Sequence, residues 1–236
     1  MDSVLAWWMA LALAEIGWPL RAMGPRRPRW QRNLALAAMG GVVVACLEQP
    51  LVAQVAGRVP GLCRLLPRRA RRLGAWLLMD YTMYAWHVAT HKIPRLWRFH
   101  RIHHLDRDMD TTTALRFHLG EMLWSVPWRL AQVVVSGADE GVYRHWQRAL
   151  ALCILFQHSN WRLPVRVDRG LARWIITPRL HGVHHGRDDQ DVNWGSTLAI
   201  WDLLHHTWRW KASAQPVGLD GEPDLPVPAL LEAPWA

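Results

Sequence analysis

The chain has 236 residues, with 28 Lys and Arg against 19 Asp and Glu, a net charge of +9, and it carries 13 His, 17 Trp and only 3 Cys. A hydrophobic share of 51% excludes a solvated, disordered chain, and cysteines scattered at positions 46, 63 and 153 make no disulfide framework. The length suits one compact domain or a small membrane core with a polar cap. The basic excess is nearly all arginine, and no recognition motif interleaves with it. No nucleic-acid partner is therefore expected, and the arginines are read as facing phospholipid headgroups.

Two N-terminal segments are apolar enough to leave water. Residues 4–20 hold a single carboxylate, Glu15, and residues 34–57 hold Glu48 and Pro50 in their second half. Each is long enough for a bilayer core of roughly 30 Å, so a membrane-embedded helical hairpin is predicted. A signal peptide fits poorly, because neither a basic lead-in nor a small-residue cleavage site flanks the first run. The arginines after the two runs nearly balance, so charge assigns no orientation. Further on, the apolar runs at 75–86, 121–137 and 149–156 are short, as in buried or interfacial helices. Trp76, Trp86, Trp97, Trp124, Trp128, Trp146 and Trp161 sit at their edges, where headgroup-layer rings are expected. The stretch after residue 212 is rich in Pro and reads as an extended tail.

The histidines carry the chemistry. His87 and His91 are four apart; His100, His103 and His104 follow at i, i+3, i+4; His181, His184 and His185 repeat that spacing. On a helix these offsets put the rings on one face, about 5–6 Å apart at Cβ. Eight clustered imidazoles would be costly to protonate together, so a metal is expected to hold them neutral, and eight donors exceed the needs of one ion. Imidazole suits Fe, Zn, Cu and Ni alike. Between the boxes, an out-and-back helical pair turning near residues 136–141 would return His158 to the side where His118 started. His158 is thereby a ninth candidate ligand. His118 is a weaker one, or a partner of Glu121 or Arg116. His145, His205 and His206 read as surface or packing residues. Asp80 and Tyr84 share the helix face of His87, and Asp80 is a candidate partner for the outer nitrogen of a ligand ring. Asn193 and Asp202 are candidates to orient the third box.

The order Asp80-x3-Tyr84-x2-His87-x3-His91, then Leu96-Trp97, HRIHH at 100–104 and TALRFHLGE at 113–121 resembles the fatty acid hydroxylase/sterol desaturase superfamily. So does TPRLHGVHH at 177–185, followed by Asp191, Asn193, Gly195 and the Trp201–Asp202 pair. The resemblance covers roughly residues 75–207. It implies an all-α integral membrane helical bundle with a cytosolic histidine-rich cap, here in a bacterial inner membrane. It implies two non-haem Fe ions held by His87, His91, His100, His103, His104, His181, His184 and His185, with His158 at a further ligand position. Activity would then be O2-dependent hydroxylation or desaturation of a lipid, whether sterol, fatty acyl or related isoprenoid. Electrons would come from a separate ferredoxin, cytochrome or reductase. The expected division is 1–72 as transmembrane hairpin and basic loops, 73–211 as catalytic domain and 212–236 as tail. Two departures stand out: Trp194 where the family often has Tyr, and His205–His206 where it commonly closes with Phe-Gly.

Rival readings are weaker. A metal transporter would line spanning segments with ionisable groups, and only Glu15 and Glu48 qualify. A zinc hydrolase would need the general base of an HExxH motif, which is absent. A catalytically inactive metal-binding membrane protein fits the same residues.

Overall fold

In a computed structural model the described residues are 3–187 and 191–235. Among them the chain is all-α, as predicted, with only isolated bridges such as Pro19 with Trp161 outside the helices. Helix α1 (Ser3–Gly17) has 15 residues, about 22 Å at the helical rise and short of a bilayer core. The second apolar run lies in α2 (Arg26–Val55), a 30-residue helix whose most apolar window has a mean hydropathy of 1.7 and is only 28% buried. This is the one helix among the described residues long and apolar enough to cross a membrane, so the predicted spanning pair reduces to one. The helix keeps going past Pro50 with a π-helical turn at Val44–Glu48, the wider turn sitting where the proline withdraws a donor.

The carboxylates inside the two apolar runs are both satisfied. Glu15 accepts the Thr111 amide and hydroxyl, each at 3.1 Å, and the Asn160 amide at 3.0 Å. It thereby ties α1 to two loops at the histidine-rich end. Glu48 accepts the Tyr143 hydroxyl at 2.7 Å and the Gln147 amide at 3.1 Å.

Helix α3 (Arg71–Lys92) stops at Ile93, whose extended backbone (φ −97°, ψ 112°) is what a following proline imposes, and Pro94 opens α4 (Pro94–His104). The break lets two histidine boxes on consecutive helices turn toward each other. Helices α5 (Leu119–Ser136) and α6 (Glu140–His158) form the predicted out-and-back pair. Gly137, in the left-handed region at φ 70°, closes α5, and the Asp139 side chain caps α6 by accepting the Val142 amide at 2.8 Å. His158 is thus the last residue of α6. The short apolar runs lie within helices of 22, 18 and 19 residues, because their polar flanks continue the helix.

Met79, Val133, Tyr143 and Trp146 pack between these long helices. Trp146 is fully buried with the Arg129 guanidinium 4.7 Å from its ring centre. The edge tryptophans therefore divide: Trp86 and Trp146 fill the core, and Trp124 is exposed as a headgroup-layer ring would be.

Shorter helices α7 (Val165–Leu171), α8 (Pro178–His184), α9 (Ile200–Leu204) and α10 (Val227–Glu232) complete the histidine-rich end. The tail is not simply extended. Helix α10 buries Leu230 with Leu36, Ile102 and Leu105, and Asp224 accepts the Arg116 guanidinium at 2.6 Å. Its Pro-rich composition masked one apolar anchor flanked by a charge that finds a buried partner.

Candidate metal centre

The boxes sit at helix ends that converge: His87 and His91 at the end of α3, His100–His104 in α4, His158 at the end of α6, and His181–His185 in and just after α8. Their nine side chains gather into two groups rather than one. His87, His91, His100, His104 and His184 form cluster A; His103, His158, His181 and His185 form cluster B. Within each group the donor nitrogens lie within 4.8 Å of one another, close enough for one ion to reach them all. The His158 Nε2 lies 3.0 Å from Nε2 of both His103 and His181, a spacing that a shared cation would bridge.

Box spacing explains the partition. In the second box His100 and His104, at i and i+4, enter cluster A while His103 enters B; in the third box His181 and His185 enter B while His184 enters A. Each HxxHH segment thus spans both clusters. The one-face reading of each box from the sequence overlooked that i+3 and i+4 diverge by nearly a third of a helical turn.

Outer nitrogens are fixed by acceptors. Nδ1 of His87 faces the Trp194 carbonyl at 2.8 Å, His103 that of Arg116 at 3.2 Å, His158 that of Ile154 at 2.8 Å and His184 that of Val192 at 2.9 Å. His100 Nδ1 faces Glu121 Oε1 at 2.8 Å. Carbonyls and carboxylates only accept, so these Nδ1 atoms carry the proton and Nε2 offers its lone pair inward. Burial, with repulsion between neighbouring rings, holds His87, His91, His103, His104, His181 and His185 well below the usual imidazole range. Burial also lowers His158 to about 4. Neutral, desolvated rings are what a metal site needs.

The residues fit metal ions on a second count. Nε2 of His91 and His100, Nδ1 of His181 and both nitrogens of His104 and His185 are buried with no hydrogen-bond partner. Proteins rarely leave such groups unpaired, and a cation in each group would take up one nitrogen from each ring.

The supporting residues divide. Glu121 meets His100 as described. Asp202 accepts the Trp194 amide at 2.8 Å, the Gly195 amide at 2.9 Å and the Thr207 hydroxyl at 2.7 Å, so it fixes the peptide segment whose carbonyl holds His87. Tyr84 joins that network through Thr207 at 3.2 Å. Asn193, at φ 55°, donates to the carbonyls of Leu180 and Arg209 and clamps the third box to the loop behind it. Asp80 and His118 depart from their sequence reading. Asp80 accepts the Trp201 indole at 2.8 Å and the Leu198 amide at 3.4 Å and, among the described residues, hydrogen-bonds no histidine ring, because the element opposite it presents Trp201. His118 belongs to neither cluster; it feels the charge of Glu121 but hydrogen-bonds neither Glu121 nor Arg116. Its Nδ1 caps α5 by accepting the Gly120 amide at 2.9 Å, and its Nε2 faces the Leu231 carbonyl at 3.2 Å. His145 is exposed, and His205 stacks on Tyr84 with ring centres 5.1 Å apart.

What the sequence did not suggest is the framework under the second box. Arg29 at the start of α2 pairs with Asp106 at 2.9 Å and with Asp110, and Asn33 donates to Asp106 at 3.1 Å and to Thr112 at 2.9 Å. The loop that supplies the Arg116 carbonyl is thus locked to α2. The run of Thr and Asp at 106–113 was the available signal. A cavity of about 40 Å³ faces both clusters, lined by His100, His103 and His158 and by Trp86, Phe117 and Gln157.

Fold and site together define an all-α protein with a paired histidine centre able to hold two metal ions. Residues 73–207 match the fatty acid hydroxylase family, more than half of the chain, and the protein belongs to that family. It is 28% identical over 151 residues to ornithine lipid hydroxylase OlsE of Rhizobium tropici, covering 62% of this chain and 44% of that protein. It is 30% identical over 141 residues to alkylglycerol monooxygenase of Xenopus tropicalis, covering 56% of this chain and 29% of that protein. It is 27% identical over 156 residues to fatty acid hydroxylase vlmA of a Lecanicillium species, covering 61% and 43%. The chain thus spans less than half the length of each of these relatives. No solved structure matches it.

Proposed function

We propose that the chain is a membrane-bound non-haem di-iron oxygenase that hydroxylates a lipid, with His87, His91, His100, His104 and His184 holding one iron and His103, His158, His181 and His185 the other. The partition of nine histidines, eight of them buried, into two donor groups carries this reading. Bound there, the iron pair would supply the oxygen-activating chemistry that no side chain possesses. Hydroxylation is favoured over desaturation because the three relatives above are named hydroxylases or monooxygenases. The overall reaction puts one atom of O2 into a C–H bond as hydroxyl and releases the other as water. It consumes two electrons and two protons, with a separate ferredoxin, cytochrome or reductase as donor.

The chain's own residues hold the donors in place and keep water out. Glu121 and the Trp194, Arg116, Ile154 and Val192 carbonyls orient five rings; Asp202 and Tyr84 hold the segment behind His87, and Asn193 clamps the third box. Trp86 and Phe117 give the cavity an apolar wall suited to a hydrocarbon. In this reading residues 1–72 anchor the protein through α2, residues 73–211 form the catalytic domain, and residues 212–236 close it. A bacterial inner membrane with the histidine-rich end at the cytoplasmic face is the proposed setting. Purified protein is expected to hold about two irons per chain and to yield a hydroxylated lipid only with O2 and reductant. Lipid profiles of a deletion strain against wild type would show which lipid loses its hydroxyl. Full activity without O2, or no bound iron, would reject the proposal.

A further inference from the structure

Two arginines beside the third histidine box, Arg179 buried and Arg21 partly so, make no ion pair among the described residues. Arg21, in the connection between α1 and α2, donates Nε to the Gln215 carbonyl at 3.0 Å, and its Nη1 and Nη2 are buried with no partner. Arg179, in the first turn of α8 and 5% exposed, donates Nη2 to the Leu163 carbonyl at 3.3 Å, and its Nε and Nη1 are likewise buried and unpaired. The Nη2 end of the Arg21 guanidinium abuts Gly182, where any Cβ would fall 1.8 Å from it. Gly182 is three residues after Arg179, so both share one face of α8 and the two guanidinium groups are neighbours. Burial and the charge of Arg179 pull Arg21 down to about 10, which agrees with that proximity. Asp168, whose charge Arg179 feels, uses its Oδ1 on Thr177 and Trp210 and makes no ion pair with either arginine. Arginine does not shed its proton at neutral pH, and a pair of desolvated, unpaired guanidinium groups is strongly unfavourable.

We propose that Arg21 and Arg179 form a binding site for an oxyanion, a phosphate or carboxylate group, on the face of α8 that carries Gly182. The free Nη1/Nη2 edge of Arg21 matches two oxygens of such a group, and Arg179 adds donors from the side. An anion there bridges the α1–α2 connection to the helix that supplies His181 and His184. Gly182 is the residue that leaves room for Arg21 to reach this position. Neither arginine belongs to the two histidine clusters, and the test reads binding rather than turnover.

The full chain in detergent is titrated with inorganic phosphate and, separately, with dihexanoyl phosphatidic acid, reading melting temperature and calorimetric stoichiometry. One anion per chain with a raised melting temperature is expected. Tighter binding of the phosphatidic acid by at least about tenfold assigns a lipid headgroup, and equal binding assigns a free anion. Arg21→Met and Arg179→Met should each weaken binding at least about tenfold. In anion-free buffer Arg21→Met should melt above wild type, and the order should reverse at saturating anion, a crossing that a purely structural arginine would not give. Arg21→Lys, which keeps the charge and loses the fork, should also bind weakly. No shift with either anion, or variants that bind as tightly as wild type, would overturn the site.

Discussion

His104 and His185 lie face to face, ring centres 4.2 Å apart and 14° from parallel, yet they belong to different donor clusters. Both nitrogens of each ring are buried and unpaired. The stacked pair is therefore a direct contact between the two donor groups, as is the stacked pair His181–His184, with ring centres 5.1 Å apart. The boxes produce this arrangement because each sends an i, i+4 pair to one cluster and its i+3 ring to the other.

Unequal donor numbers make the clusters differ in tolerance. Cluster A has five rings and cluster B has four, so removal of one leaves A four-coordinate and B with three. His91, half-buried at the rim of A, should be the more dispensable. His91→Ala is expected to keep most of the metal, whereas His158→Ala should fall to about one ion per chain. Elemental analysis of the two purified variants decides this, and equal losses would count against the partition.

Among the described residues, Glu121 is the carboxylate that hydrogen-bonds a proposed ligand, through His100 Nδ1. Deleting such an outer partner typically weakens metal affinity by about 10–100-fold. Glu121→Ala should show that loss in a chelator competition. Glu121→Gln retains an acceptor oxygen for the same N–H and should recover part of it. A Gln variant as impaired as Ala would mean that charge, not the hydrogen bond, holds the ring.

The boxes were legible because the nine ring positions depend on spacing along helices, and spacing is written in the chain. The α5–α6 return that brings His158 back was also readable, from an out-and-back length with a Gly-containing turn. What holds the rings was mostly not readable. Four of the five outer acceptors are backbone carbonyls, of Trp194, Arg116, Ile154 and Val192, and any residue type supplies a carbonyl. Asp80 misled because sharing a helix face with His87 says nothing of what the opposite element offers, and there it meets the Trp201 indole. The first apolar run misled as a spanning helix because hydropathy does not report that the helix ends at Gly17.

Asp202 gathers two backbone amides and the Thr207 hydroxyl in a fully buried position. Asp202→Ala leaves all three donors unsatisfied, at a cost on the order of 3 kcal/mol. Asp202→Asn should also be damaging, because its amide nitrogen would face an N–H. Both variants should melt lower than wild type. His87, whose acceptor is the Trp194 carbonyl, should exchange metal faster in both. A variant with unchanged melting temperature would show that the 193–195 segment is held by something else.

Asp168 provides a pH test away from the histidines. It is fully buried, its Oδ1 accepts Thr177 Oγ1 and Trp210 Nε1 at 2.9 Å each, and its Oδ2 has no partner. Burial pushes this carboxyl above its usual range despite those hydrogen bonds and the charge of Arg179. A folded pKa above the unfolded one means that the native state holds the proton more tightly. The corresponding stability is fully present below the unfolded value, about 3.9, and is lost as pH rises through the raised folded value. Asp168→Asn keeps the Oδ1 acceptor for both donors and cannot ionise, so it does not suffer that loss. Its buried amide N–H2 lacks a partner at every pH, a fixed penalty of about 1 kcal/mol. The variant is therefore expected to be the less stable protein near pH 4 and to draw level with or pass wild type by pH 7. Denaturant melts at the two pH values check the sign: a gap that widens in favour of wild type as pH rises would mean that the carboxylate is stabilised by its surroundings after all.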